Sequence, residues 1–344
     1  MKNRAPYKIL VVQTAFIGDA ILASAILEKL HEHYPDAYID YLVRKGNEGL
    51  FKGHPFIRET IVFDKKNGKY KNFLQLIGKI RDNKYDLLFN AQRFLTTGLI
   101  TAFSGAGVTV GFDKNPMSFL FSKKIKHTIS AYQEGDSETT VHETDRNHAL
   151  ISEFTDEKTA KPRLYPTESD FDAVEKFKQG KYICMAPTSV WFTKQFPKDK
   201  WAELLGALPN DFNVYLLGAP SDKEECQAII EVSDNKNITN LAGELSLLQS
   251  AALMKDAKMN YVNDSAPMHL CSSVDAPVCA IYCSTIPGFG FGPLSDESYI
   301  VETKEKLKCR PCGLHGHKAC PEGHFKCAYG IDKNNLLQVL HKRS

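Results

Sequence analysis

Strand-sized apolar runs alternate with helical stripes along most of the 344 residues, and the alternation starts afresh near residue 180. Small and hydroxyl residues collect at the strand-to-helix turns of the second half, and the chain is long for a single core. These observations predict an α/β protein made of two Rossmann-like parallel-sheet domains facing each other across a cleft. Residues 1–160 are expected to form the first domain and 161–330 the second. Residues 331–344 should add a terminal helix that packs back on the first domain.

Residues 8–13 read as a buried strand, and Thr14 to Asp19 as a turn. Ile21, Leu22, Ala25, Ile26 and Leu30 then form an apolar stripe at helical spacing. Further strands are predicted at 38–43, 60–63, 86–90 and 108–112, with helices at 73–81, 97–103 and 148–154. Residues 133–140 are polar enough for an exposed loop, and 156–169, with Pro162 and Pro166, read as the connection between domains.

In the second half strands are predicted at 182–186, 214–217, 259–262 and 277–283. Helices are predicted at 201–208, 222–232, 245–254, 268–274 and 334–340. Sequence similarity between the halves is too weak to be a repeat.

Composition narrows the function classes. A net charge of +2 gives no support for nucleic-acid binding, and the short lysine runs read as solvated faces. No run approaches the roughly 18 apolar residues of a membrane span, and no cleavable signal is apparent at the start. A cytoplasmic location is expected. In that setting nine cysteines argue against a disulfide framework.

The chain is organised around residues 257–293. An apolar run there ends in Asn263-Asp264-Ser265, and a helix should begin at Ala266-Pro267. Ser265 fits an N-cap and Pro267 the first helical turn. A helix starting at a strand's carboxyl end aims free N–H groups into the crevice where α/β proteins bind phosphate. Asp264 sits in that turn and His269 one helical turn later; a second cap and a surface histidine are the plainer readings. Pro187-Thr188-Ser189, with Lys194 nearby, and Gly218 to Asp222 form two parallel turns. Three such turns with one lysine suit a nucleoside diphosphate. Gly288 to Gly292 is no dinucleotide fingerprint, because Pro293 and not a helix follows. In the first half, Gly18 would allow a tight turn and Asp19 would project from the helix start, or simply favour the helix dipole.

Cys309, Cys312, Cys320 and Cys327 lie within nineteen residues and open with Cys-x2-Cys. That spacing suits a structural thiolate site for zinc or iron, or equally a loop of reduced, packed thiols. The other five cysteines read as core filler.

Taken in order, Ile9 to Val12 with Gly18-Asp19, the segment PTSVWFTKQFP from Pro187 to Pro197, Leu217 to Asp222, Leu241-Ala242-Gly243, Asn263 to His269 and Phe291-Gly292-Pro293 resemble glycosyltransferase family 9, the heptosyltransferases of lipopolysaccharide synthesis. The resemblance implies the GT-B architecture, with the acceptor on the first domain and the nucleotide sugar on the second. It implies inverting transfer of a heptose, or a related sugar, from an ADP-sugar to a lipid-linked inner-core oligosaccharide, with no catalytic metal or other cofactor. Contact with the inner face of the membrane would be peripheral at most. Asp19 matches the family's general base, beside Gly18 in the acceptor-side turn. Lys194 matches the lysine near the donor phosphates, Asp222 an acidic residue on the nucleotide side, and Asp264 the aspartate of the donor turn. Ser189, Ser265 and His269 fall beside them as donor-binding positions. The cysteines match a cluster common in the family and thought structural. Thr188, Ala266 and Gln195-Phe196 depart from the usual pattern, which touches the donor's identity more than the reaction class.

One carboxylate to take the acceptor proton and one cation with a helix N-terminus to hold the departing diphosphate suffice for such a transfer. The rivals are a same-fold transferase or epimerase with another nucleotide sugar, and a non-catalytic binding protein with a cysteine-metal module.

Overall fold

The computed structural model describes residues 7–65, 69–128 and 141–342. The polar stretch 133–140, expected as an exposed loop, lies outside them. The chain divides into two compact units, Met1–Tyr165 and Pro166–Ser344.

The first unit runs β1 (Lys8–Gln13), α1 (Ile17–His33), β2 (Tyr38–Arg44), β3 (Ile57–Phe63), α2 (Lys69–Asn83), β4 (Leu87–Asn90), α3 (Leu95–Ala102), β5 (Val108–Phe112), β6 (Lys123–Ile125) and α4 (Glu143–His148). Its six strands are all parallel, in the order β3-β2-β1-β4-β5-β6. Ile9 to Val12 and Leu87 to Phe89 are buried on both faces, which is why they read as unbroken apolar runs and not as alternating ones.

The second unit runs α5 (Glu168–Val174), β7 (Lys181–Ala186), α6 (Lys198–Ala207), β8 (Phe212–Leu216), α7 (Lys223–Glu231), β9 (Ile238–Asn240), α8 (Leu247–Lys255), β10 (Met259–Asn263), α9 (Ala266–Ser273), β11 (Val278–Tyr282), β12 (Ser298–Glu302), α10 (Lys326–Tyr329) and α11 (Lys333–His341). Its strands are also parallel, in the order β12-β11-β10-β7-β8-β9. Renumbered within the unit, this is the same order as in the first. The strand order reverses direction between β1 and β4 in one unit and between β7 and β10 in the other. At such a switch point the loops after neighbouring strands diverge and leave a crevice at the carboxyl ends.

The structure corrects several sequence expectations. Helix α1 already begins at Ile17, so Gly18 and Asp19 lie in its first turn and not in a tight turn before it. The helix expected at 148–154 is instead α4, followed by a single 3-10 turn at Ser152–Phe154. Strands β6, β9 and β12 went unread, because edge strands are short and carry polar residues that look like loop. The terminal helix α11, expected on the first domain, buries Leu336, Val339 and Leu340 in the core of the second unit, and Tyr261 donates its hydroxyl to Leu336 O at 3.0 Å.

Candidate functional site: the strand-end turns of each unit

In the second unit the turns after β7 and β10 meet at the switch point. Lys194 Nζ lies 2.7 Å from Asp264 Oδ2, with side-chain exposures of 15% and 8%. Thr285, just past β11, donates its hydroxyl to the same carboxylate oxygen at 2.6 Å. Three consecutive strand ends thus converge on one carboxylate. Asn263 locks the first two together: its Oδ1 accepts from Phe196 N at 2.9 Å and its Nδ2 donates to Pro187 O at 2.7 Å. Gln195 closes the β7 turn by donating to Ser189 O at 2.6 Å.

Helix α9 starts where its proline predicts, but Ser265 does not cap it through its side chain. The hydroxyl turns back to Asn263 O at 3.4 Å. Ala266 is the first helical residue and has no positive φ, so alanine there imposes no strain. His269 is buried on α9, not a surface histidine.

Asp222 belongs to the turn after β8. Its Oδ2 accepts from Ala219 N at 2.8 Å, which commits the carboxylate to shaping its own turn. Gly243 packs against this turn; at φ +80°, a Cβ there would stand 2.8 Å from Pro220 Cα. No described hydrogen bond or ion pair joins Asp222 to the Lys194–Asp264 pair.

In the first unit Asp19 stands half-buried in the first turn of α1. Helix α4 packs on α1. There Glu143 accepts from Arg146 Nε at 2.8 Å. Burial holds the Glu143 carboxyl above the usual range; Arg146 opposes that shift and the Asp19 charge adds to it. Sequence reading passed over this buried pair because its residues are ordinary on a helix surface.

The cysteine-rich segment braces the second unit's turns. His317 N donates to Thr193 Oγ1 at 2.8 Å, and Thr193 N donates back to His317 O at 3.1 Å. Ser284 donates to the same Thr193 hydroxyl at 3.0 Å. Gly316, at φ +77°, lets this strap approach: a Cβ would lie 2.8 Å from Thr193 Oγ1 and 3.1 Å from Lys194 Cγ. Arg310 donates to Cys283 O at 2.7 Å and Thr285 O at 2.8 Å, holding the carboxyl end of β11. Ser284, Arg310 and Gly316 were not singled out in the sequence, since their partners lie far along the chain.

Among the described residues no group of three or more His, Cys, Asp or Glu side chains is placed to hold a metal ion. Cys309, Cys312 and Cys320 do gather round Cys327, whose thiol is pushed up to about 11, first by burial. Cys312 Sγ instead donates to Cys309 O at 3.0 Å, and Cys309 Sγ lies 3.9 Å from His324 Nε2. The expected thiolate metal centre therefore does not fit the side chains as they are placed.

A model of the family described as glycosyltransferase family 9 (heptosyltransferase) matches residues 73–322. Lipopolysaccharide heptosyltransferase 3 of Escherichia coli is 25% identical over 282 residues, which cover 78% of this chain and 82% of that one. Among solved structures, the family 9 glycosyl transferase of Veillonella parvula superposes with a TM-score of 0.80 at 22% identity, covering 99% of this chain and 98% of the other. The Escherichia coli ADP-heptose lps heptosyltransferase II superposes with a TM-score of 0.79 at 21% identity, covering 98% of both chains.

Proposed function

The chain belongs to glycosyltransferase family 9, the heptosyltransferases, and from that premise we infer that it moves a heptose from ADP-heptose to an inner-core acceptor of lipopolysaccharide. It is a glycosyltransferase of GT-B fold. The observation that carries the finer reading is the Lys194–Asp264–Thr285 constellation at the carboxyl-end switch point of the second unit.

The donor diphosphate binds at the turns after β7 and β10. Lys194 offsets charge on the leaving group, helped by the free N–H groups at the start of α9. Asp264 does not bind phosphate, which it would repel; it fixes the lysine and is itself fixed by Thr285. Ser189 and Ser265 line the turns, His269 backs α9, and Asp222 shapes the neighbouring turn on the nucleotide side. On the first unit Asp19, following Gly18, takes the proton of the acceptor hydroxyl. The hydroxyl oxygen attacks the anomeric carbon from the face opposite the diphosphate, the carbon–oxygen bond to phosphate breaks, and ADP leaves with its electron pair. The configuration inverts. An acid catalyst is not needed for so good a leaving group, and no step runs through a metal.

The acceptor is lipid-linked, which places the reaction at a membrane surface; no described helix is long and apolar enough to cross one.

Incubation with ADP-heptose and a heptose-free inner-core acceptor should yield ADP and an acceptor heavier by one heptose. Transfer at equal efficiency from a UDP-sugar, or stabilisation by UDP but not ADP in a thermal-shift titration, would overturn the donor assignment.

A further inference from the structure

Helix α3 is built inside out. A helix on the surface of an ordinary α/β protein turns its apolar stripe to the core and its charges to water. Of the buried residues of α3 only Ile100 is a large apolar one; Thr97, Gly98 and Thr101 are the others. On the outer side Leu95 is 51% exposed and Phe103, just past the helix, 49%. Leu95, Leu99 and Phe103 recur every fourth residue and form one outward stripe, with Leu99 half-buried at its middle. The inward hydroxyls are satisfied locally. Thr97 donates to Phe94 O at 3.0 Å, and Thr101 donates to Thr97 O at 2.8 Å and accepts from Asn90 Nδ2 at 2.9 Å. No charged residue occurs from 94 to 112.

A second apolar feature lies beside this stripe. The 3-10 turn Ser118–Leu120 exposes Phe119 by 71% and Leu120 by 48%. The turn is firmly held. Gly98 lets the segment leading into it approach α3, since any Cβ there would collide with Asn115 Oδ1 and Met117 Cβ. Phe121 is buried against Gly111, and Ser122 and Thr109 each donate a backbone N–H to the other's hydroxyl at 3.0 Å. These contacts fix Phe119 and Leu120 in water, where two adjacent large apolar side chains gain nothing.

Charge borders the same surface. Residues 94–126 hold Lys114, Lys123, Lys124 and Lys126 against Asp113 alone, a net +3 where the whole chain carries +2. Lys123 pairs with Glu153, but among the described residues neither Lys124 nor Lys126 has an ion-pair partner. An apolar stripe edged by unneutralised lysines suits a partner that is negative on top and oily beneath. A second copy of the chain, docked by the same face, would bring those lysines against each other.

We propose that the outer stripe of α3 and the Ser118–Leu120 turn form a docking surface for an anionic lipid bilayer. Leu95, Phe103, Phe119 and Leu120 enter the boundary between headgroups and acyl chains, and Lys124 and Lys126 meet the lipid phosphates. Contact is interfacial, because the eight residues of α3 reach only about 12 Å, far short of a span. The surface holds the first unit where a lipid-linked acceptor lies. That purpose rests on the acceptor reading above, whereas lipid binding rests on the surface alone.

The test uses the full chain without donor or acceptor. Vesicles of phosphatidylethanolamine mixed with phosphatidylglycerol, or of phosphatidylcholine alone, are added, and bound protein is measured by flotation. The chain should float with the anionic vesicles at least about fivefold more than with the neutral ones, and added salt should release it. Phe119→Ser with Leu120→Ser, and separately Lys124→Glu with Lys126→Glu, should each cut the bound fraction about fivefold or more. Both variants should keep the melting temperature and ADP affinity of the unaltered chain, which separates lost docking from lost folding. No flotation at low salt, equal flotation with both lipids, or undiminished flotation in both variants overturns the proposal. So does self-association without lipid, seen by sedimentation and abolished by the Phe119→Ser, Leu120→Ser change, which would give the face to a second copy. Flotation that persists while sugar transfer fails would remove the acceptor reading and leave the docking surface standing.

Discussion

The carboxylate of Asp264 holds Lys194 Nζ at 2.7 Å and the Thr285 hydroxyl at 2.6 Å, although the three residues span almost a hundred positions of sequence. The pair is mostly shielded from water, so its two charges are worth more to each other than a surface pair would be. In the proposed function it also sets the lysine at the donor diphosphate.

Lys194→Ala should therefore weaken ADP binding by about 1.5–3 kcal/mol, the range of a charge-assisted hydrogen bond, and leave adenosine binding unchanged. Calorimetric titration of both ligands checks this. Equal losses for the two would show that the lysine is not at the phosphates. Asp264→Asn keeps a polar group beside Thr285 but releases the lysine, and should impair transfer more than it impairs ADP binding.

Asp19→Asn should lower kcat by roughly a hundredfold or more, the scale of general-base loss, with little change in donor affinity. Steady-state rates with ADP-heptose and an inner-core acceptor measure it. Turnover near that of the unaltered enzyme would sink the assignment.

Gly316→Ala tests the strap. The residue lies at φ +77°, and its new Cβ would press on Thr193 Oγ1 and Lys194 Cγ. Gly313 offers a matched control, at φ +70° with nothing within 4 Å of a Cβ. Both substitutions carry a left-handed backbone cost of about 1 kcal/mol. Only Gly316→Ala should also lower ADP affinity, by about fivefold or more. Parallel titrations separate backbone strain from displacement of the lysine, and identical behaviour of the two variants would refute the strap's role.

A pH effect is expected from Glu28, whose pKa burial raises to about 7 against the pull of the Tyr165 hydrogen bond and of Arg163. His54 Nε2 stands 3.8 Å away, and burial lowers that ring to about 4. A raised carboxyl means that the folded chain binds more protons than the unfolded one between about 4.5 and 7. The Glu28 contribution is thus whole below 4.5 and is lost as pH rises through 7. The His54 shift acts in the opposite sense, lost as pH falls from 6.5 towards 4. Glu28→Gln isolates the carboxyl: its melting temperature relative to the unaltered chain should climb from pH 4.5 to 8 and stay level below 4.5. A pH-independent difference would refute it.

Thiol chemistry should distinguish Cys327 from its neighbours. Burial raises its thiol to about 11, so little thiolate exists at pH 8 and little of it is accessible. Timed alkylation with mass spectrometry should label Cys309 and Cys320 first, and Cys327 only on unfolding. Uniform protection of all four, relieved together by a chelator, would mean that the thiols close on a metal after all.

Much of the fold was legible because burial on both faces leaves a plain mark. Runs such as Ile9 to Val12 and Val278 to Tyr282 are apolar without a break, and helical stripes such as that from Ile21 to Leu30 lie between strands. The same logic failed at β6, β9 and β12, whose edge positions allow lysine, threonine and serine. Gly18 misled for a local reason: a glycine near a strand end suggests a turn, yet it sits inside the first turn of α1.

By itself the sequence determined the buried strands, most of the helices between them, the doubled α/β plan and the residue types at the central strand ends, because periodicity, capping chemistry and turn propensity are local properties of neighbouring residues. Which strand ends meet was decided only by tertiary structure. The order β11-β10-β7-β8 brings Thr285, Asp264 and Lys194 to one point and gives Asp222 its own turn beside them. It also lets Gly316 and His317 reach back to Thr193. The reason is that hydrogen-bond pairing between strands and the burial of their faces are chosen by the whole chain at once, so a contact across seventy or more residues leaves no periodic trace along it.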